Sequence, residues 1–473
     1  MTAPHPTLDN AMRVSRPIVC IQGLGFVGAA MAAAVASASE PDGSPSFTVV
    51  GVELPTAEGR ARAAALSDGR FPFATVDQDL VLATRRGKER GNLCATIDPV
   101  VYETADVVVV DVHLDVDTAA NTSDLAPFRS AVRVLGERMR PGSLIIVETT
   151  VPPGTCANVV APELAAALRK RGLPEDSLLL AHSYERVMPG PDYLSSITHF
   201  WRVYAGNCPA AAAACRRFLE KVVDTEAYPL TELRSTTASE TAKVLENTFR
   251  AVTIALMDEW GRFSERVGID LYEIVRAIRM RPTHCNIREP GFGVGGYCLT
   301  KDPLFGLVAA RQLFDDPSLE FPLSRLAVGV NDCMPLHVVD VLREMLGGLA
   351  GKKIVLLGVA YRSEVDDTRY SPSETFVRAV QADGGQVVCH DPFVRRWVEL
   401  EIDVLEQLPS LEGVDAVVLA IGHKSYQLMD MLEWLGTRRP QILDGNNVLG
   451  AAQLQQLAAA GCRVFSVGRG EIS

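Results

Sequence analysis

None of the ten cysteines in this 473-residue chain forms a CxxC pair or a metal-ligand spacing. That argues against a zinc module or a disulfide framework. It favours reduced thiols, most of them small core residues. No run of Lys and Arg accumulates, and the net charge is −12. Neither nucleic acid nor an anionic membrane surface finds the attraction it needs, although a pocket can still be locally basic on an acidic protein. The first 17 residues lack the apolar stretch of a secretory leader, so a cytoplasmic location is expected. Pro17 to Ser39 carries no charge, yet Gly23, Gly25 and Gly28 interrupt it and alanines fill its second half. It reads as a buried strand, a glycine turn and a small-residue helix, not a membrane span. What is present is ordinary: 47% hydrophobic and 22% charged residues, enough for a real core in two or three domains.

Strand and helix signals alternate in the first part. Short apolar runs at 17–22, 47–53, 106–112, 143–148 and 200–205 are separated by helical segments such as 126–139. The alternation predicts a mostly parallel sheet with helices on both faces. From Thr236 to about Ile278 apolar residues recur at helical spacing with no strand signal and no proline. Val244, Leu245, Thr248, Val252, Leu256 and Trp260 line one face of a predicted spine. Strand signals return at 352–358, 385–389, 415–420, 441–443 and 463–467. The expected fold is α/β: two doubly wound Rossmann-like sheet domains joined by a helical central domain with a long spine helix. The expected boundaries are 1–208, 209–325 and 326–473.

Gly23-Leu24-Gly25-Phe26-Val27-Gly28 follows the first strand and opens a helix. Glycines there permit a tight turn and close backbone approach to a pyrophosphate seated at a helix N-terminus. Glu53 ends the next strand 25 residues beyond Gly28, where a carboxylate accepts from a ribose diol and repels a 2′-phosphate. NAD is therefore expected over NADP, with Arg60 and Arg62 as nearby cations able to compensate. The C-terminal counterpart, Gly358-Val359-Ala360-Tyr361, lacks the triple glycine, so no second dinucleotide is expected.

The segment Gly291-Phe292-Gly293-Val294-Gly295-Gly296-Tyr297-Cys298-Leu299-Thr300-Lys301-Asp302-Pro303 cannot be a helix or a stable strand; it makes a loop that a ligand can approach. Pro303 suits the first turn of a following helix. A thiol near a helix N-terminus and a lysine tends toward thiolate, the nucleophilic form, but the segment also suits a core cysteine in a structural glycine turn. Lys243 and Asn247 are four apart and share a helix face, where a cation and an amide can hold an oxyanion and move a proton. By themselves they equally suit an ordinary exposed face.

Five segments in order resemble the UDP-glucose/GDP-mannose dehydrogenase family across nearly the whole chain. They are Glu148-Thr149-Thr150-Val151-Pro152-Pro153-Gly154-Thr155, Glu185-Arg186-Val187-Met188-Pro189-Gly190, Lys243 to Arg250, the glycine loop with Cys298, and Tyr361 to Arg369. The resemblance implies NAD-dependent, four-electron oxidation of the C6 alcohol of a UDP-sugar (glucose or an N-acetylhexosamine) to the uronate. It implies Cys298 as nucleophile, Lys243 as acid/base, Asn247 as oxyanion partner, and Asp302 and Glu148 as residues that orient or activate water. Cofactor contacts would come from Gly23, Gly25, Phe26, Val27, Gly28, Glu53, Thr150 and Lys301. Substrate contacts would come from Glu185, Arg186, Lys243, Asn247, Arg250, Phe292, Gly293, Gly295, Tyr361 and Arg369. It further implies UDP binding by the C-terminal domain, a homodimer or higher oligomer on the spine, and no metal. For Arg369 an ion pair with Asp366 or Asp367 is the competing reading.

The chain departs from the family pattern at His113-Leu114, Tyr184, Tyr297 and Arg362. His113 is expected to pack beside the cofactor. None of these changes removes a reacting group, but they leave the sugar open. The competing readings are a two-electron β-hydroxyacid-type dehydrogenase, which needs neither Cys298 nor a second sheet domain, and a catalytically silent nucleotide-sugar binding protein.

Overall fold

The computed structural model describes residues 16–118 and 120–472. Met1 to Ser15, which carry most of the leader argument, lie outside the described residues. The chain divides into two units, one of residues 1–245 with 304–320, the other of 246–303 with 321–473.

In the first unit the strands are β1 (Ile18–Gln22), β2 (Thr48–Val52), β3 (Leu93–Thr96), β4 (Val107–Val110), β5 (Leu144–Val147), β6 (Leu179–His182), β7 (Val203–Gly206) and β8 (Thr231–Glu232). They form one sheet in the order β3-β2-β1-β4-β5-β6-β7-β8. The first six strands pair in parallel, reversing direction of travel at β1, as in a doubly wound dinucleotide fold. Strands β1, β2, β4 and β5 are buried throughout, which is why they read as uninterrupted apolar runs. β7 runs antiparallel to β6 and β8 runs parallel to β7, so the mostly parallel sheet ends in two reversed strands at one edge.

The second unit holds β9 (Lys353–Leu357), β10 (Gln386–His390), a short ribbon of β11 (Arg396–Trp397) and β12 (Ile402–Asp403), then β13 (Ala416–Leu419), β14 (Gln441–Asp444), β15 (Val464–Ser466) and β16 (Gly470–Ile472). The main sheet has the order β10-β9-β13-β14-β15-β16, parallel except for β16. This is the second doubly wound sheet.

The predicted spine is two helices. Thr236–Val267 runs for 32 residues and Leu271–Arg279 follows. Gly268 separates them at φ +71°. Asp270 then starts the second helix, its side chain accepting from the N–H groups of Tyr272 and Glu273. The predicted apolar face also divides. Val244 is buried, whereas Leu245, Leu256 and Trp260 are exposed. The inward face uses Ala251, Ile254, Ala255 and Met257 instead.

Among the described residues no helix is long and apolar enough to cross a membrane. Six of the ten cysteines are buried, one is half-buried, and Cys285, Cys298 and Cys333 are exposed.

Candidate active site

The glycine turn lies between β1 and the helix Phe26–Ser37. Gly23 has φ +93°, and a Cβ there would stand 2.6 Å from the Asp111 carbonyl oxygen. A Cβ on Gly28 would overlap the Gly23 carbonyl, so both positions require glycine. Gly25 differs: nothing lies within 4 Å of where its Cβ would be. It caps the helix, and no side chain caps the helix start. That arrangement fits a dinucleotide pyrophosphate. Phe26 and Val27 open the helix half-buried. Glu53 follows β2, its carboxylate accepting from the N–H of Leu24 and of Leu54, both at 2.9 Å, with the Arg62 guanidinium 3.6 Å away. Thr150 lies in the loop after β5. His113 is exposed, 3.9 Å from Asp115, and Leu114 beside it is buried.

Glu148, at the end of β5, is buried with Arg202, the two joined at 2.6 Å. Burial chiefly pushes the Glu148 carboxyl up, against the pull of Arg202. Lys243, on the long helix, donates to the Glu185 carbonyl at 2.7 Å and stands 3.8 Å from its carboxylate and 5.5 Å from the centre of the Tyr184 ring. One turn earlier on that helix, Ser239 meets the Nδ1 of His182 at 2.8 Å. His182 is wholly buried. Burial first, and Lys243 second, push its pKa down to about 3, so it is neutral. Arg186 is stacked 5.0 Å from the Tyr184 ring and hydrogen-bonded to its hydroxyl.

In the second unit Cys298 is exposed in a series of turns. The helix expected behind it starts only at Phe305; Pro303 sits inside the 3-10 turn Asp302–Leu304. The first residue of that helix is therefore seven positions beyond Cys298 in the chain. Lys301 is also engaged elsewhere, its ammonium 3.0 Å from Asp302. Arg250 is one cation in electrostatic reach of Cys298, and its own pKa is pulled down by burial and by Arg288 and Arg362. Asp302 is buried, and its second oxygen takes the Asn247 amide at 2.7 Å. Its backbone N–H donates to the Cys298 carbonyl at 2.9 Å. Asn247, Lys301, Asp302 and the cysteine turn are thus one hydrogen-bonded group.

The glycines of this loop are filled by protein. A Cβ at Gly295 would meet the Tyr370 carbonyl, and one at Gly296 the Tyr361 ring. A Cβ at Gly293 would come within 3.2 Å of Pro372. Their purpose is close packing against the Tyr361–Pro372 segment more than open approach to a ligand. Phe292 is wholly buried in the core, 5.7 Å from Phe376. Arg369 forms a two-pronged pair with Asp367 at 2.8 and 2.6 Å and covers the Tyr297 ring at 4.4 Å. Several participants were not singled out from the sequence: Arg202, His182, Ser239, Arg288 and Asp111. Each stands far along the chain from the group it serves. Only Asp111, one residue past an apolar strand, carried a local signal.

Two sheets of nucleotide-binding topology, a dinucleotide turn and an exposed cysteine beside an amide–carboxylate–ammonium group define the class: a NAD-dependent dehydrogenase. The chain belongs to the UDP-glucose/GDP-mannose dehydrogenase family. It matches that family's NAD binding domain over residues 17–221, its central domain over 237–332 and its UDP binding domain over 355–451. It is 29% identical over 460 residues to a UDP-N-acetyl-D-mannosamine dehydrogenase of Methanocaldococcus jannaschii, covering 96% of this chain and 97% of that protein. It is 33% identical over 334 residues to the Pyrococcus horikoshii protein of the same name, covering 69% and 74%. A solved structure of UDP-D-ManNAc dehydrogenase from Pyrococcus horikoshii superposes with a TM-score of 0.79 at 27% identity, covering 96% of this chain and all of that one.

Proposed function

We propose that the protein oxidises the C6 alcohol of a UDP-N-acetylhexosamine to the carboxylate, with Cys298 carrying the intermediate. The observation that carries this reading is the exposed Cys298 whose turn is tied to the Asn247–Asp302–Lys301 group. The names of the relatives support an N-acetylated sugar.

Bound NAD supplies the hydride acceptor. Lys243 takes the alcohol proton as the first hydride leaves C6. The Cys298 thiolate adds to the resulting aldehyde, and the Asn247 amide and the Lys243 ammonium hold the oxyanion of the thiohemiacetal. That oxyanion collapses as the second hydride leaves, giving a thioester. Water, oriented by Asp302 or Glu148, releases the acid and restores the thiol. The balance is one alcohol, two NAD and one water giving one carboxylate, two NADH and three protons. Glu185, Arg186, Arg250, Tyr361 and Arg369 are assigned to the substrate, and Thr150 and Lys301 to the cofactor. For Lys301 the Asp302 pair supports a supporting role as much as a contact. The three domains are taken as 1–208, 209–325 and 326–473, and the cytoplasm as the site of action.

The deciding measurement is NADH formed per sugar consumed, with UDP-N-acetylmannosamine, UDP-N-acetylglucosamine, UDP-glucose and GDP-mannose offered separately. The expected result is two NADH, no released aldehyde, and highest kcat/KM with an N-acetylated UDP-sugar. One NADH per sugar would favour the two-electron alternative.

A further inference from the structure

Parallel pairing sets Val110 of β4 opposite Val147 of β5. The next residues, Asp111 and Glu148, are therefore neighbours on adjacent strand ends, which lie about 4.8 Å apart. One Glu148 oxygen takes Arg202. The other, Oε2, is buried without a partner, and so is Asp111 Oδ2. Two adjacent carboxylates, each with a buried bare oxygen, are costly if both are ionised. They are satisfied if one carries a hydrogen donated to the other. The surrounding charges agree. Glu148 from β5 and Glu185 from the loop after β6 face Asp111, and Arg202 before β7 is the cation opposing them. Counting Lys243 beside Glu185, three acids meet two bases, so one proton balances the group. Burial first, then Glu148 and Glu185, push the Asp111 carboxyl well above the usual range. Arg202 holds the negative charge on Glu148, which leaves the proton on Asp111.

Asp111 also lies beneath the dinucleotide turn. A Cβ on Gly28 would be 3.2 Å from the Asp111 Cβ, and Gly23 packs on its carbonyl. We propose that Asp111 is held as the neutral acid, donating to Glu148, and that this proton keeps the floor of the dinucleotide turn uncharged for an anionic pyrophosphate. Asp111 is thus a positioning residue for cofactor binding. The inference rests on the dinucleotide turn and not on the sugar or on Cys298, so it stands or falls apart from the proposed reaction.

The full-length protein is compared with Asp111→Asn in two measurements. Difference infrared spectroscopy at neutral pH should show one protonated-carboxyl band in the wild type that Asp111→Asn lacks. NAD affinity, read by calorimetry without substrate, should fall about tenfold for each pH unit above the Asp111 pKa in the wild type and stay level in Asp111→Asn. Glu148→Gln supplies a second reading. Its amide can donate to an ionised Asp111, so the acid band should vanish and NAD should bind at least tenfold more weakly already at neutral pH. A band that persists in Asp111→Asn, or the same alkaline loss of affinity in both proteins, overturns the assignment.

Discussion

Glu53 serves two partners at the end of β2. It holds the N–H of Leu24 inside the glycine turn and stands beside Arg62, so its carboxylate shapes the turn, and we propose that it also accepts from the cofactor ribose. Glu53→Ala removes the ribose acceptor and leaves Arg62 able to meet a 2′-phosphate. The ratio of kcat/KM for NAD to that for NADP should fall at least about tenfold, most of it through weaker NAD use. Cys298 offers a different test. In Cys298→Ser the alkoxide leaves an ester less readily than a thiolate leaves a thioester. Acid formation should stall, and intact-protein mass spectrometry after one turnover should find the sugar on the serine or no second NADH formed. His182 bears on stability. Its folded pKa of about 3 lies below the ordinary value of about 6.5, so the folded state refuses a proton that the unfolded chain accepts. Its contribution is complete above about pH 6.5 and is lost as pH falls, by about 1.4 kcal/mol per unit. His182→Asn keeps a hydrogen-bonding partner for Ser239 but cannot titrate. Its Tm should vary less between about pH 6.5 and pH 4 than that of the wild type.

Elements were legible where burial made them so. β1, β2, β4 and β5 are sealed on both faces, and their apolar runs announced them. β3, with Leu93-Cys94-Ala95-Thr96, is four residues of mixed character, and β8 is two exposed residues, so neither has a pattern to read. The glycine turn was recognisable because Gly23 and Gly28 answer to local backbone sterics. The reason for the glycines around Cys298 was not, because their neighbours, Tyr361, Tyr370 and Pro372, come from some 65–80 residues further along the chain. The Glu148–Arg202 pair spans 54 positions, and only the crossing of strands reveals it. The long helix was read correctly to Val267, but its continuation was not. Gly268 and Asp270 are stop and start signals that an unbroken apolar period had overridden.

At the scale of the whole molecule, the helix Thr236–Val267 carries an exposed apolar stripe. Leu245, Phe249, Leu256, Trp260, Phe263 and Val267 are each between 45% and 62% exposed. Their spacing places them along one stripe of a helix about 48 Å long. So large an apolar stripe is unusual on a monomer, and a second copy of the chain supplies a matching one. We propose a homodimer on this stripe. Trp260→Glu should convert it to a 51.1 kDa monomer in sedimentation at micromolar concentration, while Glu40→Gln, on the surface, leaves the dimer intact.

The first unit is assembled from two stretches of chain, 1–245 and 304–320. The later stretch carries the helix Phe305–Gln312, whose Phe305, Leu307, Val308, Ala309 and Ala310 are all buried, and Phe314, which packs on Gly154. Gln312 exchanges two hydrogen bonds with the backbone of Ser123. The unit is therefore incomplete when its sheet has left the ribosome. At about 5–20 residues per second, the chain between Glu232 and Glu320 takes on the order of 4–18 s to be made. For that interval the seat of the Phe305–Gln312 helix is uncovered apolar surface. Ribosome-bound chains arrested short of Leu304 should bind a trigger-type chaperone or be cleaved by protease, and chains released past Glu320 should resist both.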